Sequence, residues 1–88
     1  MYKVFFHPRA RESLNKLEPS IQERIKKKLQ QLKKFPEEVG RHLKYSNFWR
    51  VRVGDYRVIY EIKDNEKKVI VLFIGHRKKV YDDFSKLF

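Results

Sequence analysis

The chain contains no cysteine and no long apolar run, and acidic residues are half as numerous as basic ones. Without cysteine it cannot form a disulfide scaffold, a catalytic thiolate or a cysteine-ligated zinc site. No apolar stretch approaches the ~18 to 20 residues that a membrane span requires, and the N-terminal run is too short for a signal peptide. We therefore expect a soluble protein of the reducing cytoplasm, with no membrane partner.

The shortage of acids leaves a strongly basic protein. The 22 lysines and arginines against 11 aspartates and glutamates give a formal net charge of +11. Such a charge attracts polyanions over about a Debye length, ~8 to 10 Å. No cluster of acids or histidines has metal-ligand spacing, so a metal-dependent nuclease is disfavoured and no cofactor is expected. The composition favours nucleic acid, an acidic protein, or both as partners.

The rest of the composition is that of one small folded domain spanning residues 1–88. A hydrophobic content of 41% and an aromatic content of 15% argue against disorder, although 38% of the residues are charged. A chain of this length buries one core but not a deep cofactor cleft. We therefore expect a shallow site on an open face.

The apolar pattern predicts an α+β fold. Tyr2–Phe6 is a strand candidate, and Pro8 and Pro19 suit the first turns of two helices. Val69–Gly75 is apolar on both faces, as a central strand would be. We predict a small, twisted, mainly antiparallel four-stranded sheet, packed against an N-terminal helical hairpin, with a short C-terminal helix. The segment 36–47 is predicted to be irregular, and the second helix is predicted to bury one stripe, Ile21, Ile25, Leu29, Leu32 and Phe35.

The segment 48–62 predicts a tight β-hairpin with arginines on one face. Gly54-Asp55 suits a two-residue turn of type II′, with glycine first. With that turn Arg52 faces Arg57, and strand alternation places Arg50 on the same face. Like charges directly opposite each other destabilise a sheet by roughly 0.2 to 1 kcal/mol. The arginines therefore indicate a site for an anion. The opposite face is predicted to carry Trp49, Val51, Val53, Tyr56, Val58, Tyr60 and Ile62.

Residues after the last strand add further chemistry. If that strand pairs beside 56–63, it delivers His76, Arg77 and Tyr81 near the arginines. Cleaving an RNA phosphodiester without a metal needs a proton acceptor for the 2′-hydroxyl, cations for the dianionic phosphorane and a proton donor for the leaving 5′-oxygen. Arginine suits the second role, because its planar fork meets phosphate oxygens two at a time. His76 is the nearby residue that titrates most readily near neutrality, and Tyr81 is a second candidate to carry a proton.

The segments WRVRVGDYRVIYEI and IGHRKKVY, with the preceding strand and helical pair, closely resemble the RelE superfamily of toxins of toxin–antitoxin systems. The resemblance implies a fold like that of microbial ribonucleases. It also implies that the protein is an mRNA interferase, which cuts messenger RNA in the ribosomal A site by metal-independent attack of a 2′-hydroxyl and so inhibits translation. In this interpretation Arg50 and Arg52 contact the RNA backbone, Arg57 and Arg77 stabilise the transition-state phosphate, and Tyr81 orients or activates the attacking hydroxyl.

The resemblance also implies partners. A small, acidic, RelB-like antitoxin would bind an otherwise monomeric toxin in a hetero-oligomer, by a helix in a groove or by strand addition. The ribosome and messenger RNA are the other expected partners. Lys78 and Lys79 are further candidate RNA-binding residues. Lys26, Lys27 and Lys28 fit the solvated side of the second helix, or contacts with ribosomal RNA.

Two other functions stay open. ParE-like toxins share the VGDYRVIY hairpin but act on DNA gyrase, and they generally lack the arginine and tyrosine after the last strand. The presence of Arg77 and Tyr81 favours the ribonuclease. A catalytically silent nucleic-acid-binding module would need only the charge.

Simpler interpretations also exist for the individual residues. Arg50 and Arg52 fit an ordinary solvated strand face. Tyr81 is at helical spacing with Phe84 and Phe88 and could pack on the core, and His76 could be a polar residue at a strand end.

Overall fold

The computed structural model describes residues 1–88, with a five-stranded sheet covered by helices on both faces. The strand order is β1-β5-β4-β3-β2; β1 and β5 are parallel and the other pairs antiparallel. The predicted α+β class, the helical hairpin and the C-terminal helix are confirmed. The elements are β1 (Lys3–Phe6), α1 (Pro8–Asn15), α2 (Pro19–Lys34), α3 (Pro36–Val39), β2 (Arg41–His42), β3 (Phe48–Val53), β4 (Tyr56–Lys63), a 3-10 turn (Asp64–Glu66), β5 (Lys68–His76) and α4 (Val80–Leu87).

The sheet has one strand more than the sequence predicted. The segment 36–47 is not wholly irregular, because it contains α3 and β2. In β2, Arg41 pairs with Arg50 and His42 with Trp49. Two residues are too few to show an alternation of apolar and polar side chains. The sheet therefore has five strands, and β2 forms the edge beside β3.

Prolines set the ends of the second helix. Pro19 occupies its first turn. At the other end Phe35 has φ −137° and ψ 62°, outside the helical region. Phe35 precedes Pro36, and the helical conformation is unfavourable for a residue that precedes proline. Phe35 is 53% exposed, so its predicted place in the buried stripe is wrong, whereas Ile25, Leu29 and Leu32 are buried as predicted. None of the helices combines the length and apolar character needed to cross a bilayer.

The two faces of the sheet carry two separate cores. The larger core lies under α1 and α2 and includes Leu14, Ile25 and Val58. The smaller core lies under α4, where Val80 and Phe84 pack on Ile59, Leu72 and Phe73. Strand β5 lies between β1 and β4 and contributes buried residues to both cores, so its predicted burial on both faces is confirmed. On the face that α4 covers, Arg52 stays exposed and Arg50 and Arg57 are half-buried.

A buried tyrosine fixes the segment between α3 and β2 against the sheet. The hydroxyl of Tyr60 donates a hydrogen bond to the Pro36 carbonyl over 2.6 Å, and burial raises the pKa of Tyr60. Gly40 lies directly against this ring: a Cβ at position 40 would come within 2.9 Å of Tyr60 Cζ and 2.6 Å of the Arg50 carbonyl oxygen. Any side chain at position 40 would therefore push β2 away from β3.

Candidate functional site

The hairpin turn holds the arginines in the predicted register. Gly54 has φ +57°, whereas Asp55 has no positive φ, which is the combination that a glycine-first turn requires. Arg52 pairs with Arg57 across β3 and β4, as predicted. Arg50 lies two residues before Arg52 on β3 and therefore on the same face.

Strand β2 adds a fourth arginine to this surface. Arg41 is directly opposite Arg50, and opposed residues of an antiparallel pair project from the same face with Cβ atoms about 4.5 to 5.5 Å apart. We call Arg41, Arg50, Arg52 and Arg57 the arginine face. None of the four forms an ion pair with an acidic side chain. Arg41 could not be predicted as part of this surface, because a two-residue strand leaves no periodic signal.

Arg57 and Arg77 each contact the hairpin turn. The Arg57 Nη1 group donates to the carbonyls of Gly54 and Tyr56, over 3.0 and 2.9 Å. The Arg77 backbone N–H donates to the Asp55 carbonyl over 2.7 Å, and its Nε lies 3.6 Å from Asp55 Oδ1. The side chains of Arg77 and Asp55 are 55% and 70% exposed, so this ion pair contributes only about 0 to 1 kcal/mol to stability. A phosphate can therefore displace the carboxylate from Arg77.

Tyr81 reaches the arginine face from the start of α4. Its hydroxyl accepts a hydrogen bond from Arg50 Nη1 over 3.4 Å, and the residue is 39% exposed. Helix α4 packs on the sheet through Val80, and Gly75 permits this approach, since a Cβ there would lie 3.1 Å from Val80 Cγ2. Phe84 is the buried aromatic residue of α4. Tyr81 is thus available to a ligand and does not fill the core.

The predicted place of His76 beside the arginines is wrong. His76 is opposite Tyr56, and the two rings meet edge to face with centroids 5.6 Å apart. Both side chains lie on the face that carries α1 and α2, because Arg57, one residue along from Tyr56, projects from the other face. The His76 Nδ1 atom accepts a hydrogen bond from the Lys78 backbone N–H over 3.2 Å. His76 is therefore a polar residue at a strand end, and Tyr56 is half-buried against it.

The predicted lysines lie on two different parts of the surface. Lys78 and Lys79 are exposed in the turn between β5 and α4, without an ion pair. Lys26 and Lys27 are exposed and Lys28 is half-buried on α2, which packs on the other face of the sheet. Successive helical residues are about 100° apart around the axis, so these three side chains point in different directions. They do not form one contact surface.

Arg24 is a further cation near the site, and its position could not be predicted from the sequence. A Cβ on Gly54 would lie 2.9 Å from Arg24 Nη1, so the guanidinium of Arg24 covers the hairpin turn from the α2 side. Helical periodicity indicates which residues leave the core, but it does not indicate which distant turn they cover.

Replacing Arg52 by threonine is expected to stabilise the fold. The change removes the repulsion between Arg52 and Arg57 and keeps a residue that favours strands, so the free energy of unfolding should rise by about 0.2 to 1 kcal/mol. Urea denaturation of both proteins at low salt measures the difference. The gain should shrink in 1 M salt, where charges are screened within ~3 Å. A loss of stability, or a gain independent of salt, would show that the opposed arginines do not repel appreciably.

Comparison with known proteins gives the chain a family. The family model for the ParE toxin of the type II toxin-antitoxin system parDE matches residues 4–81. The toxin RelG of Mycobacterium tuberculosis is 32% identical over 83 residues, which cover 91% of this chain and 95% of RelG. This relative is thus similar over nearly its whole length.

Solved structures share the fold. The toxin–antitoxin complex RelBE2 from Mycobacterium tuberculosis contains a chain that matches with a TM-score of 0.77 and 32% identity, over 86% of this chain and 98% of that one. The isolated RelE toxin of E. coli matches with a TM-score of 0.78 and 26% identity, over 99% of this chain and 98% of that one. With the family match to residues 4–81, these similarities establish that the chain belongs to the RelE/ParE-like toxins of type II toxin–antitoxin systems.

Proposed function

We propose that this toxin is a ribosome-dependent endoribonuclease that cuts messenger RNA in the ribosomal A site. One observation carries the proposal: Arg50, Arg52 and Arg57 share an open face without acidic partners, with the Tyr81 hydroxyl beside Arg50. Arg77 joins them at the hairpin turn. A folding requirement alone would not place opposed arginines there, because each opposed pair destabilises the sheet.

The reaction would be an in-line transfer within the RNA. The 2′-hydroxyl loses its proton as its oxygen attacks the adjacent phosphorus, and the bond from phosphorus to the 5′-oxygen breaks. The departing 5′-oxygen takes a proton from water at the open site, so the products are a 2′,3′-cyclic phosphate and a free 5′-hydroxyl. Water then opens the ring to a 3′-phosphate. The phosphorane carries two negative charges, and the unused N–H groups of Arg57 and Arg77 would donate to its oxygens. Removing one such donor typically slows a reaction by about 10² to 10³.

Tyr81 would act on the attacking hydroxyl, orienting it or taking its proton, while Arg50 and Arg52 hold the flanking backbone. Tyr60 cannot take this role, because it is buried and its hydroxyl is hydrogen-bonded to the Pro36 carbonyl. His76 would take no part in the proton transfer, since its ring packs against Tyr56 on the other face of the sheet. Lys78 and Lys79 would add non-specific attraction to RNA near Arg77.

The ribosome would supply much of the positioning. The site is open and contains no strong base, so the alignment of the 2′-oxygen with the phosphorus must come largely from the way the A site holds the message. We therefore expect weak activity on naked RNA. Ribosome-bound message is also the substrate that a cytoplasmic toxin would meet.

Primer extension on a translated message tests this proposal. In a purified translation system, cuts should appear within codons when ribosomes and toxin are both present, and should be nearly absent when ribosomes are omitted. Cleavage of the same intensity without ribosomes would contradict the ribosome requirement. The absence of cleavage in both reactions would contradict the nuclease.

A ParE-like action on DNA gyrase is the second candidate, favoured by the family match. A supercoiling assay separates the two functions, because a gyrase inhibitor blocks supercoiling and leaves translated message intact. A silent nucleic-acid-binding module would do neither, and its salt-dependent binding would survive Tyr81→Phe.

The proposed partner is an acidic, RelB-like antitoxin. The net charge of +11 needs neutralisation in a cell that contains much RNA, and the similar chain from Mycobacterium tuberculosis was solved as a toxin–antitoxin complex. A partner of opposite charge would associate rapidly by electrostatic attraction.

A further inference from the structure

We propose that Arg41 forms, with Arg50 and Arg52, a cleft that binds a backbone phosphate of the RNA next to the one that is cut. This inference rests on the proposed function and extends it to a residue outside the catalytic set. Arg57 and Arg77 would hold the scissile phosphate at the hairpin turn. Arg41 would hold the neighbouring nucleotide at the edge of the sheet.

The cleft lies where β2 meets β3. It has a volume of about 170 Å³, and half of its lining residues are arginines; the others are Val39, Gly40 and Val51. A cavity needs only about 10 to 15 Å³ of such volume to admit one water molecule, so a phosphate group with its oxygens fits. No acidic residue lines the cleft. An incoming anion therefore meets only positive charge there.

The backbone of Arg41 is fixed in place. Its strand pairs with Arg50, and the preceding Gly40 packs against the ring of Tyr60, whose hydroxyl is bonded to Pro36. The edge strand is therefore tied to the buried core on one side and to the arginine face on the other. Binding of a phosphate would need movement of the side chains only, which limits the entropy lost on binding.

The arrangement suits a chain of anions better than a single carboxylate. Two opposed pairs, Arg41 with Arg50 and Arg52 with Arg57, form a row across β2, β3 and β4. Along β3, Arg50 and Arg52 are about 6.4 to 6.8 Å apart, since a strand rises 3.2 to 3.4 Å per residue. A single guanidinium group is enough to pair with one carboxylate through two parallel hydrogen bonds. A row of guanidinium groups matches the successive phosphates of a nucleic-acid backbone.

Binding to an RNA that cannot be cut tests this inference separately from catalysis. We would measure the anisotropy of a labelled, single-stranded 2′-O-methyl oligonucleotide, in which the 2′-oxygen cannot attack, over a range of salt concentrations. Arg41→Ala should weaken binding about tenfold at low salt. It should also lower the slope of log affinity against log salt by about 0.7, the value for one lost phosphate contact on a single strand.

Three variants control the experiment. Arg41→Lys keeps the charge but loses the planar guanidinium group that forms two parallel hydrogen bonds. It should therefore keep most of the salt dependence and bind the oligonucleotide less tightly. Arg41→Gln replaces the charge with a polar side chain of similar length, should Arg41→Ala disturb β2. Arg9→Ala removes the same charge from the exposed surface of α1, and it should bind like the wild type.

The outcomes separate this inference from the proposed nuclease. If the slope falls in Arg41→Ala although the wild-type protein cuts no message, the phosphate cleft stands and the nuclease fails. Equal slopes for wild type and Arg41→Ala, or no salt-dependent binding by the wild type, overturn the cleft even if the message is cut. Polyglutamate is the comparison ligand: if Arg41→Ala weakens only its binding, the cleft serves an acidic protein and the inference is wrong.

Discussion

Arg57→Ala and Arg77→Ala should each slow the cleavage of translated messenger RNA by about 100- to 1000-fold, the typical effect of removing one donor to a transition-state oxyanion. Both guanidinium groups lie at the Gly54-Asp55 turn. Each variant lacks one of them and therefore loses that group's hydrogen bonds to the phosphorane. The measurement is single-turnover cleavage on ribosomes stalled with a defined codon in the A site. At saturating toxin this rate reports on the chemical step and not on binding.

The control for these variants is Arg24→Ala. Arg24 lies against the same turn from the α2 side, so this variant loses an equal charge at nearly the same place and should keep most of the rate. Arg57→Ala also loses the two hydrogen bonds to Gly54 and Tyr56, each contributing about 0.5 to 1.5 kcal/mol to stability. Thermal unfolding must therefore show that it is folded. A wild-type rate in a folded Arg57→Ala or Arg77→Ala protein would remove that residue from the mechanism.

Gly40→Ala should destabilise the protein by roughly 2 to 6 kcal/mol. The new Cβ would come within 2.6 Å of the Arg50 carbonyl oxygen and 2.9 Å of Tyr60 Cζ, so both the backbone of β3 and a buried ring would have to move. Overpacking of this kind costs about 1 to 3 kcal/mol. Breaking the hydrogen bond from the Tyr60 hydroxyl to the Pro36 carbonyl would cost about 1 to 3 kcal/mol more. Since small domains are stable by only about 5 to 15 kcal/mol, circular dichroism should show melting at least ~8 °C lower.

Two comparisons test the cause of this destabilisation. In the double variant Gly40→Ala with Tyr60→Phe, the hydroxyl that meets the new Cβ is gone, so part of the lost stability should return. Gly75→Ala should be milder, because its Cβ would meet the Val80 side chain at 3.1 Å and no backbone atom within that distance. An unchanged melting temperature for Gly40→Ala would show that β2 is not held against β3 as described.

The hairpin could be predicted from the sequence because its determinants are local. A glycine-first turn fixes which residues of β3 and β4 are opposite each other, and the two-residue period of a strand fixes their faces. Arg50, Arg52 and Arg57 were therefore placed correctly relative to one another. The apolar run of β5 likewise predicted the central strand, since burial on both faces requires apolar residues throughout.

The features that could not be predicted from the sequence depend on contacts between residues far apart in the chain. Strand β2 pairs with β3 and the adjacent Gly40 packs against Tyr60. These contacts join residues distant in sequence and leave no periodic signal, so Arg41 was missed. The face of His76 depends on a bulge in β5: Ile59 pairs with Phe73 but Tyr60 pairs with Val71, so the strand contains one extra residue. Because a slip of one residue exchanges the two faces, alternation alone could not place His76.

The end groups of the cut message test most directly whether the arginine face stabilises an attack by the 2′-oxygen. Ribosomes would be programmed with two messages that differ only at the A-site codon, one all-ribose and one with 2′-deoxynucleotides in that codon. We expect the all-ribose message to give an upstream fragment ending in a 2′,3′-cyclic or 3′-phosphate and a downstream fragment with a 5′-hydroxyl, and the deoxy message to stay intact. Cleavage of the deoxy message, or 5′-phosphate ends, would contradict this mechanism.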